Sequence, residues 1–219
     1  MSGFFFAAAA KAAAKKPYKR RLAYLESTGT QYIDTLYYPN PDTFLEFSCA
    51  RPDPHPYGGN FFGVTEPGET TSIRYIFAAN FGGASNTDKN VYLWNDKANA
   101  YGGTANSLSF SDATVPATCT FGRGSATFWG KSKNFITPTT HTFEHTMKMF
   151  CSTAVNNVAS SFAVLRMYSF RIYGANDALV RDFIPVMDWS DVPCMYDRVS
   201  GALFYNGGSG TFSYGVSTE

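Results

Sequence analysis

Hydrophobic and polar residues alternate with a period of two in many short runs from residue 21 onward. The clearest are Thr43–Ala50 (TFLEFSCA), Ser72–Ala79 (SIRYIFAA), Val91–Asn95 (VYLWN), Ala126–Gly130 (ATFWG), Thr140–Ser152 and Leu165–Tyr173. Each is rich in aromatic and β-branched side chains, which fit a pleated, half-buried surface. Turn-forming clusters separate the runs: PDPHPYGGN, NFGGASNTDKN, YGGTANS, GRGS, VNNVASS, GAND and NGGSG. Short strands with regular turn punctuation predict an all-β, antiparallel β-sandwich.

The C-terminal third is the most explicit. LRMYSFRIYG alternates, GAND turns and ALVRDFIPVMD returns, which predicts a hairpin whose second strand is apolar enough to be central. MYDRVSGALFYN repeats the form around VSG, with Tyr196, Leu203 and Tyr205 expected to pack and Asp197 and Arg198 expected in water. In Thr140–Ser152 the alternation puts His141, Phe143, His145, Met147 and Met149 on one side of an expected strand.

Residues 3–16 (GFFFAAAAKAAAKK) break this rhythm. The alanines favour a helix, Lys11 and Lys15 share a face at i, i+4, and Pro17 marks its end. A helix this short is marginal in water. Burying Phe4, Phe5 and Phe6 contributes roughly 5–9 kcal/mol, at about 1.5–3 each, so the segment needs an apolar surface to form. The chain therefore divides into an N-terminal arm, residues 1–21, and a sandwich, residues 22–219.

Charge sharpens the division. The net charge is only +1, yet Lys11, Lys15, Lys16, Lys19, Arg20 and Arg21 give the first 21 residues +6 without an acid. The remainder carries 12 basic and 17 acidic residues, or −5. A basic neck behind a Phe/Ala tip is expected to dock other proteins of an assembly, the phenylalanines in a groove and Lys11, Lys15 and Lys16 on an acidic rim. A membrane-surface helix is the rival reading; three consecutive phenylalanines cover too broad an arc for a clean amphipathic face. The arm offers few side chains for reading bases, so no nucleic acid is expected as a partner. The apolar run precedes the lysines, the reverse of a secretory leader, and no window approaches the roughly 20 apolar residues of a membrane span.

Composition adds that 44% of residues are hydrophobic, enough for a substantial core. The four cysteines, Cys49, Cys119, Cys151 and Cys194, form no C-x-x-C pair. Cys119 and Cys151 sit in strand-like context, where a buried reduced thiol is expected, and the spacings do not suit zinc.

Two stretches carry a resemblance. LAYLESTGTQYIDT (Leu22–Thr35) resembles the opening of jelly-roll domains in proteins of gut bacteria and their phages, and RMYSFRIYGANDALVRDFIPVMD followed by MYDRVSGALFYNGGSGTFSYG resembles their ending. These domains belong to the concanavalin A-like lectin/glucanase (LamG-like) superfamily. The resemblance spans about residues 22–215, the middle matching only in strand rhythm. It implies two packed, curved antiparallel sheets with the first and last strands paired near each other, and a phage or prophage source. Glu26, Gln31, Asp34, Arg181, Asp182 and Asp197 match polar positions of the family, where they are read as fixing register and turns.

Catalytic chemistry finds little footing. Glycoside hydrolysis needs two carboxylates about 5–9 Å apart. The E-x-D-x-E strand of the glucanase branch is absent, and Glu66 and Glu69 fall in a Pro/Gly-rich stretch expected to be a loop. HTFEH (His141–His145) matches the inverted zinc-protease pattern H-x-x-E-H, but on a strand the two histidines stand roughly 13 Å apart. No phosphate-binding glycine loop or nucleophile elbow is present. Asn86, Asp88 and Asn95 make at best a weak calcium loop, so neither metal nor cofactor is expected. Glycan binding stays open, with Trp94, Asn95 and Asp96 or Trp189, Asp188 and Asp191 as an aromatic platform with polar partners; Trp129 is a further platform, and WSDVP reads as an exposed loop.

The expected role is a non-enzymatic virion structural protein, a capsid or tail decoration, fibre or adhesin element. The arm would anchor it, and the lectin-like domain would be displayed at the virion surface to meet host or mucosal glycans. Trimers follow by analogy alone. The alternative is a carbohydrate-binding module of a gut bacterial surface or secreted protein, and a glycoside hydrolase comes third.

Overall fold

The computed structural model describes residues 16–52, 58–68, 73–81, 90–99, 107–110, 112–134 and 140–217. Among the described residues eighteen strands appear in chain order: β1 (Arg20–Thr28), β2 (Ile33–Asp34), β3 (Phe44–Ala50), β4 (Asn60–Pro67), β5 (Ile73–Phe81), β6 (Asn90–Asn99), β7 (Ser107–Ser109), β8 (Ala117–Gly122), β9 (Ser125–Phe128), β10 (Lys131–Asn134), β11 (Lys148–Met149), β12 (Ser152–Thr153), β13 (Ala159–Ser160), β14 (Val164–Tyr173), β15 (Leu179–Met187), β16 (Pro193–Asp197), β17 (Ala202–Phe204) and β18 (Ser213–Val216). One 3-10 turn, Ala175–Asp177, joins β14 to β15.

The strands form a ten-stranded sheet, ordered β10-β9-β8-β3-β14-β1-β15-β16-β17 with β18 on β1, and a six-stranded sheet, β2-β11-β4-β5-β6-β7. A two-stranded ribbon, β12-β13, accompanies them. The chain is thus nearly all β, with antiparallel sheets packed as a sandwich.

Phenylalanines hold the two large sheets together. Phe62 of β4 meets Phe47 of β3, Phe121 of β8 and Phe170 of β14 with ring centroids 5.2–5.9 Å apart. Phe77 of β5 meets Phe121 at 4.9 Å. All five rings are essentially inaccessible to solvent. Edge-to-face pairs of this kind add to the burial of area itself.

Both C-terminal hairpins form, β14–β15 and β16–β17. The first is zipped from its turn, where Tyr173 faces Leu179, as far as Phe170 opposite Phe183, and forks beyond that pair. There β1 enters, pairing with β14 through Leu25–Thr28 and with β15 through Arg20 and Arg21. β15 is interior to the sheet, as its apolarity requires. β18 returns to pair with β1 from Leu22 to Glu26.

Several expectations change. Residues 140–147 are not a strand: only Lys148–Met149 and Ser152–Thr153 of the expected run are extended pairs. Loop carbonyls and a side chain satisfy the intervening amides instead, Phe143 N–H on Pro39 O at 2.8 Å and Met147 N–H on Tyr37 O at 2.9 Å. Glu66 lies in β4, not in a loop. Asp197 is fully buried rather than wet, and Tyr205 is exposed rather than packed. Of the expected helix, residues 1–15, with Phe4, Phe5, Phe6, Lys11 and Lys15, lie outside the described residues, as do Glu69, Asn86 and Asp88. Lys16 and Pro17 lead into β1 without helical structure. β1 starts at Arg20, inside the segment 1–21 assigned to the arm, and Tyr18 is buried against Tyr196 at 5.1 Å.

Candidate functional site

The loop after β15 brings two sets of predicted residues together. Asp188 closes a tight turn by accepting the N–H groups of Ser190 and Val192 on Oδ1, both at 2.8 Å. Its Oδ2 accepts Tyr205 O–H at 3.0 Å. The Val192 amide first, then the Tyr205 hydroxyl and the Ser190 amide, hold the carboxyl below its ordinary value against the opposing effect of burial. Burial, then the hydrogen bond to Asp188, pushes the Tyr205 phenol up to about 12.

This turn holds Trp189 at 53% exposure, with Val192 and Tyr205 also exposed. The Trp189 indole N–H donates to Lys16 O at 3.3 Å, and Lys19 Nζ donates to both oxygens of Asp191 at 2.7 and 2.9 Å. Lys19 N–H donates to Met187 O at 2.8 Å, which starts the β1 pairing. Residues 16–19 therefore run along the domain at this corner before β1 begins. The Asp191 carboxylate, expected as a polar partner for a sugar, is tied to Lys19, Asp188 closes the turn, and the platform's indole N–H holds the Lys16 carbonyl.

Trp94, Asn95 and Asp96 lie in β6, with their side chains outside the described set. Trp94 pairs in register with Ala78 and Asp96 with Ile76. The third tryptophan, Trp129, packs on Phe81, Phe110 and Phe61 and donates its N–H to Val115 O at 3.1 Å, so it is a partly buried side chain laid against the core.

HTFEH has a different outcome from its strand reading. The loop at 140–147 wraps around Glu66, which is 5% exposed. His141 Nε2 lies 2.9 Å from Glu66 Oε2, and Oε1 accepts the N–H groups of Glu144 at 2.6 Å and His145 at 2.5 Å. His145 Nδ1 stands 3.6 Å from Oε1. The His141 ring stacks on Tyr75 at 3.8 Å with a 4° interplanar angle. The two histidines thus share one carboxylate, which the strand expectation of a wide separation missed. No group of three or more metal-capable side chains occurs among the described residues. The signal in the sequence was Pro138 at the head of TPTTHTFEH, which has no N–H to give to a ladder.

The acids of the long sheet are committed to cross-strand ties. Ser132, Thr127, Thr120, Glu46, Arg171 and Asp182 stand in one registered row across β10, β9, β8, β3, β14 and β15. Arg171 bonds Glu46 at 2.5 Å and Asp182 at 3.3 Å, and Arg198 donates to Asp182 at 2.5 and 2.9 Å. Asp197 accepts Asp182 N–H at 2.8 Å and the amides of Val199 and Ser200. Glu26 pairs with Arg166, Asp34 with Lys148, and Gln31 Oε1 accepts Thr28 N–H at 2.8 Å. Arg181 donates to Thr35 O at 3.2 Å. Each polar residue singled out at the two ends of the chain ties strands or turns together.

All four cysteines are buried free thiols. Comparison with models of protein families, with curated proteins and with solved structures finds no match.

Proposed function

We propose that this chain is a non-catalytic structural protein of a bacteriophage particle. Its N-terminal segment docks in the assembly, and its β-sandwich, of concanavalin A-like jelly-roll type, is displayed outward. The observation that carries the reading is the corner at Trp189. The basic neck enters the fold there, pinned through Lys16 and Lys19, beside the exposed apolar side chains of Trp189, Val192 and Tyr205. An anchored arm transmits force best when its root is fastened to the domain, and an apolar patch rimmed by charge suits a protein partner.

Two further points support the reading. Glu26, Glu46, Glu66, Asp182 and Asp197 are each engaged by arginine, histidine or backbone amides, the arrangement of structural rather than reacting carboxylates. The likeness of both chain ends to phage and gut-bacterial jelly-roll domains supports the particle as the setting. The decisive experiment compares particles carrying the full-length chain with particles carrying the full-length triple variant Phe4→Ser, Phe5→Ser, Phe6→Ser. The native chain sediments with particles, and the variant, with an unchanged circular dichroism spectrum, stays in the supernatant. Equal incorporation of both chains would reject the docking role.

A further inference from the structure

Lysine is almost never fully buried unless it is paired, yet the Lys148 side chain is only 5% exposed. It sits in β11, an interior strand of the six-stranded sheet, opposite Asp34 of β2 on one side and Gly63 of β4 on the other. Its ammonium meets two polar groups. Nζ lies 3.3 Å from Asp34 Oδ2 and donates to Asn157 Oδ1 at 3.2 Å. The Tyr32 ring stands 6.0 Å from Nζ, and the buried Cys151 thiol is close enough to feel both charges.

Both partners are fixed from elsewhere. Asp34 Oδ1 accepts Leu36 N–H at 3.0 Å, and Oδ2 accepts Thr146 O–H at 2.9 Å. Asn157 stands at the exposed turn of the β12–β13 ribbon, where Ala154 N–H donates to Val158 O at 2.8 Å and Asn157 N–H donates to Ala154 O at 2.9 Å. Its φ of 63° is left-handed, a region that asparagine adopts more readily than most residues. A Cβ on Gly63 would stand 2.5 Å from Ser152 Oγ, so glycine there lets the ribbon lie this close to the sheet.

We propose that Lys148 and Asn157 join in an intramolecular isopeptide bond, with Asp34 as the proton carrier. Asp34 takes one proton from the ammonium, and the neutral amine attacks Cγ of Asn157. Asp34 gives that proton to Nδ2 and takes another from the attacking nitrogen. The Cγ–Nδ2 bond breaks, the new Nζ–Cγ amide remains, and ammonia leaves through the exposed turn, carrying off the last proton as ammonium. Nothing is oxidised or reduced, so no co-reactant is needed. The contact already holds amine beside amide, and held proximity replaces much of the entropy cost of bringing them together. Attack needs a turn of the Asn157 side chain that moves Nζ from the carbonyl edge onto its face. Burial of Lys148 keeps water from competing for the amine. One reaction per chain is a modification without turnover. Two strands of two residues each hold a ribbon weakly, and the bond fastens its tip to the interior of the sheet. The inference does not depend on docking by the N-terminal segment.

The test is mass spectrometry on the purified full-length chain after a day at physiological temperature. The intact mass falls by one ammonia. Trypsin no longer cuts after Lys148, so a single peptide runs from Asn134 to Arg166. Chymotrypsin, which cuts after Phe150, leaves the two flanking pieces joined. Asn157→Gly, which keeps the left-handed turn, restores the full mass and the cut. Asn157→Asp loses one water instead. Asp34→Asn forms the bond about a hundredfold more slowly or worse, the loss for a positioned acid and base. Asn156→Ala, at the neighbouring turn position, links as the native chain does. Amide spectra of each variant report that the fold is intact. A native chain that keeps its full mass and its cut at Lys148 overturns the inference. Ammonia lost with that cut retained, the mark of a cyclised asparagine, overturns it too. A bond from Lys148 to Asp34, read as one water lost from the native chain, does the same, and unchanged linking in Asp34→Asn overturns the role of Asp34.

Discussion

Glu66 and His141 are 75 positions apart in the chain, yet His141 Nε2 lies 2.9 Å from Glu66 Oε2. The same carboxylate takes two backbone N–H groups from the 140–147 loop, so a single side chain in β4 holds that loop against the core. Glu66→Ala leaves those amides and the imidazole without their acceptor. It is expected to destabilise the fold by about 3 kcal/mol, and Glu66→Gln, which keeps one acceptor oxygen, by roughly half as much. Urea denaturation of the three chains checks this, and equal midpoints would contradict it.

Asp182 separates two guanidinium groups, those of Arg171 and Arg198. Its side chain is 8% exposed, so the pair of contacts is only weakly screened. Asp182→Ala removes the anion and leaves two cations facing each other. The expected loss is about 2–4 kcal/mol. Arg198→Ala, whose side chain is 46% exposed, costs less than 1 kcal/mol by the rule for exposed pairs. The ranking of the two denaturation midpoints is the measurement, and the reverse order would refute the role of Asp182.

The turn at Asp188 makes stability depend on acid. Its folded carboxyl titrates below the unfolded one, so the unfolded chain binds more protons between the two values. The contribution is present above about pH 4 and is lost as pH falls through the folded value. Native chain and Asp188→Asn are therefore expected to differ most in urea midpoint at pH 6 and to converge toward pH 2. A difference independent of pH would show that Asp188 acts only through shape.

Burial, the leading cause, pushes the thiols of Cys151 and Cys194 up to about 12. Their folded values lie above the unfolded value of 9.0, so this contribution is full below pH 9 and is lost as pH rises toward 12. The native chain should react negligibly with a disulfide reagent at pH 8, while the chain in guanidinium releases the equivalent of all four thiols. Rapid reaction of the native protein would contradict the burial.

Gly59 approaches backbone rather than side chain. A Cβ there would lie 2.3 Å from Phe162 O and 2.6 Å from Ala163 Cα. Gly59→Ala must shift the segment that carries Ser161, at a cost of about 1–3 kcal/mol. Thermal unfolding measures the cost, and an unchanged melting temperature would show that the segment yields freely.

Much of the sandwich was legible from alternation. The runs at Thr43–Ala50, Ser72–Ala79 and Leu165–Tyr173 became β3, β5 and β14 within a few residues, because one buried face imposes a period of two. The turn clusters GAND and VSG located both C-terminal hairpins. The run at Thr140–Ser152 failed because its amides found Glu66, Pro39 and Tyr37 before they found a ladder partner. Asp197 is buried despite its charge because the turn folds the amides of Val199 and Ser200 back onto its carboxylate, a contact that alternation does not show.

The meeting of Lys148 with Asp34 and Asn157 left no mark in the sequence. Asp34 was read as fixing register, and no spacing in the chain couples it to the other two.

What the sequence determined alone is local: which segments extend, where they turn, and which side of each strand is apolar. Those follow from neighbours two to four residues away. Tertiary structure decided the meeting of Glu66 with His141, the fastening of Lys19 to Asp191 and the placing of Lys148 between Asp34 and Asn157. Those contacts depend on which distant strands lie side by side, and the shared phenylalanine core selects that order without spelling it out in any one stretch.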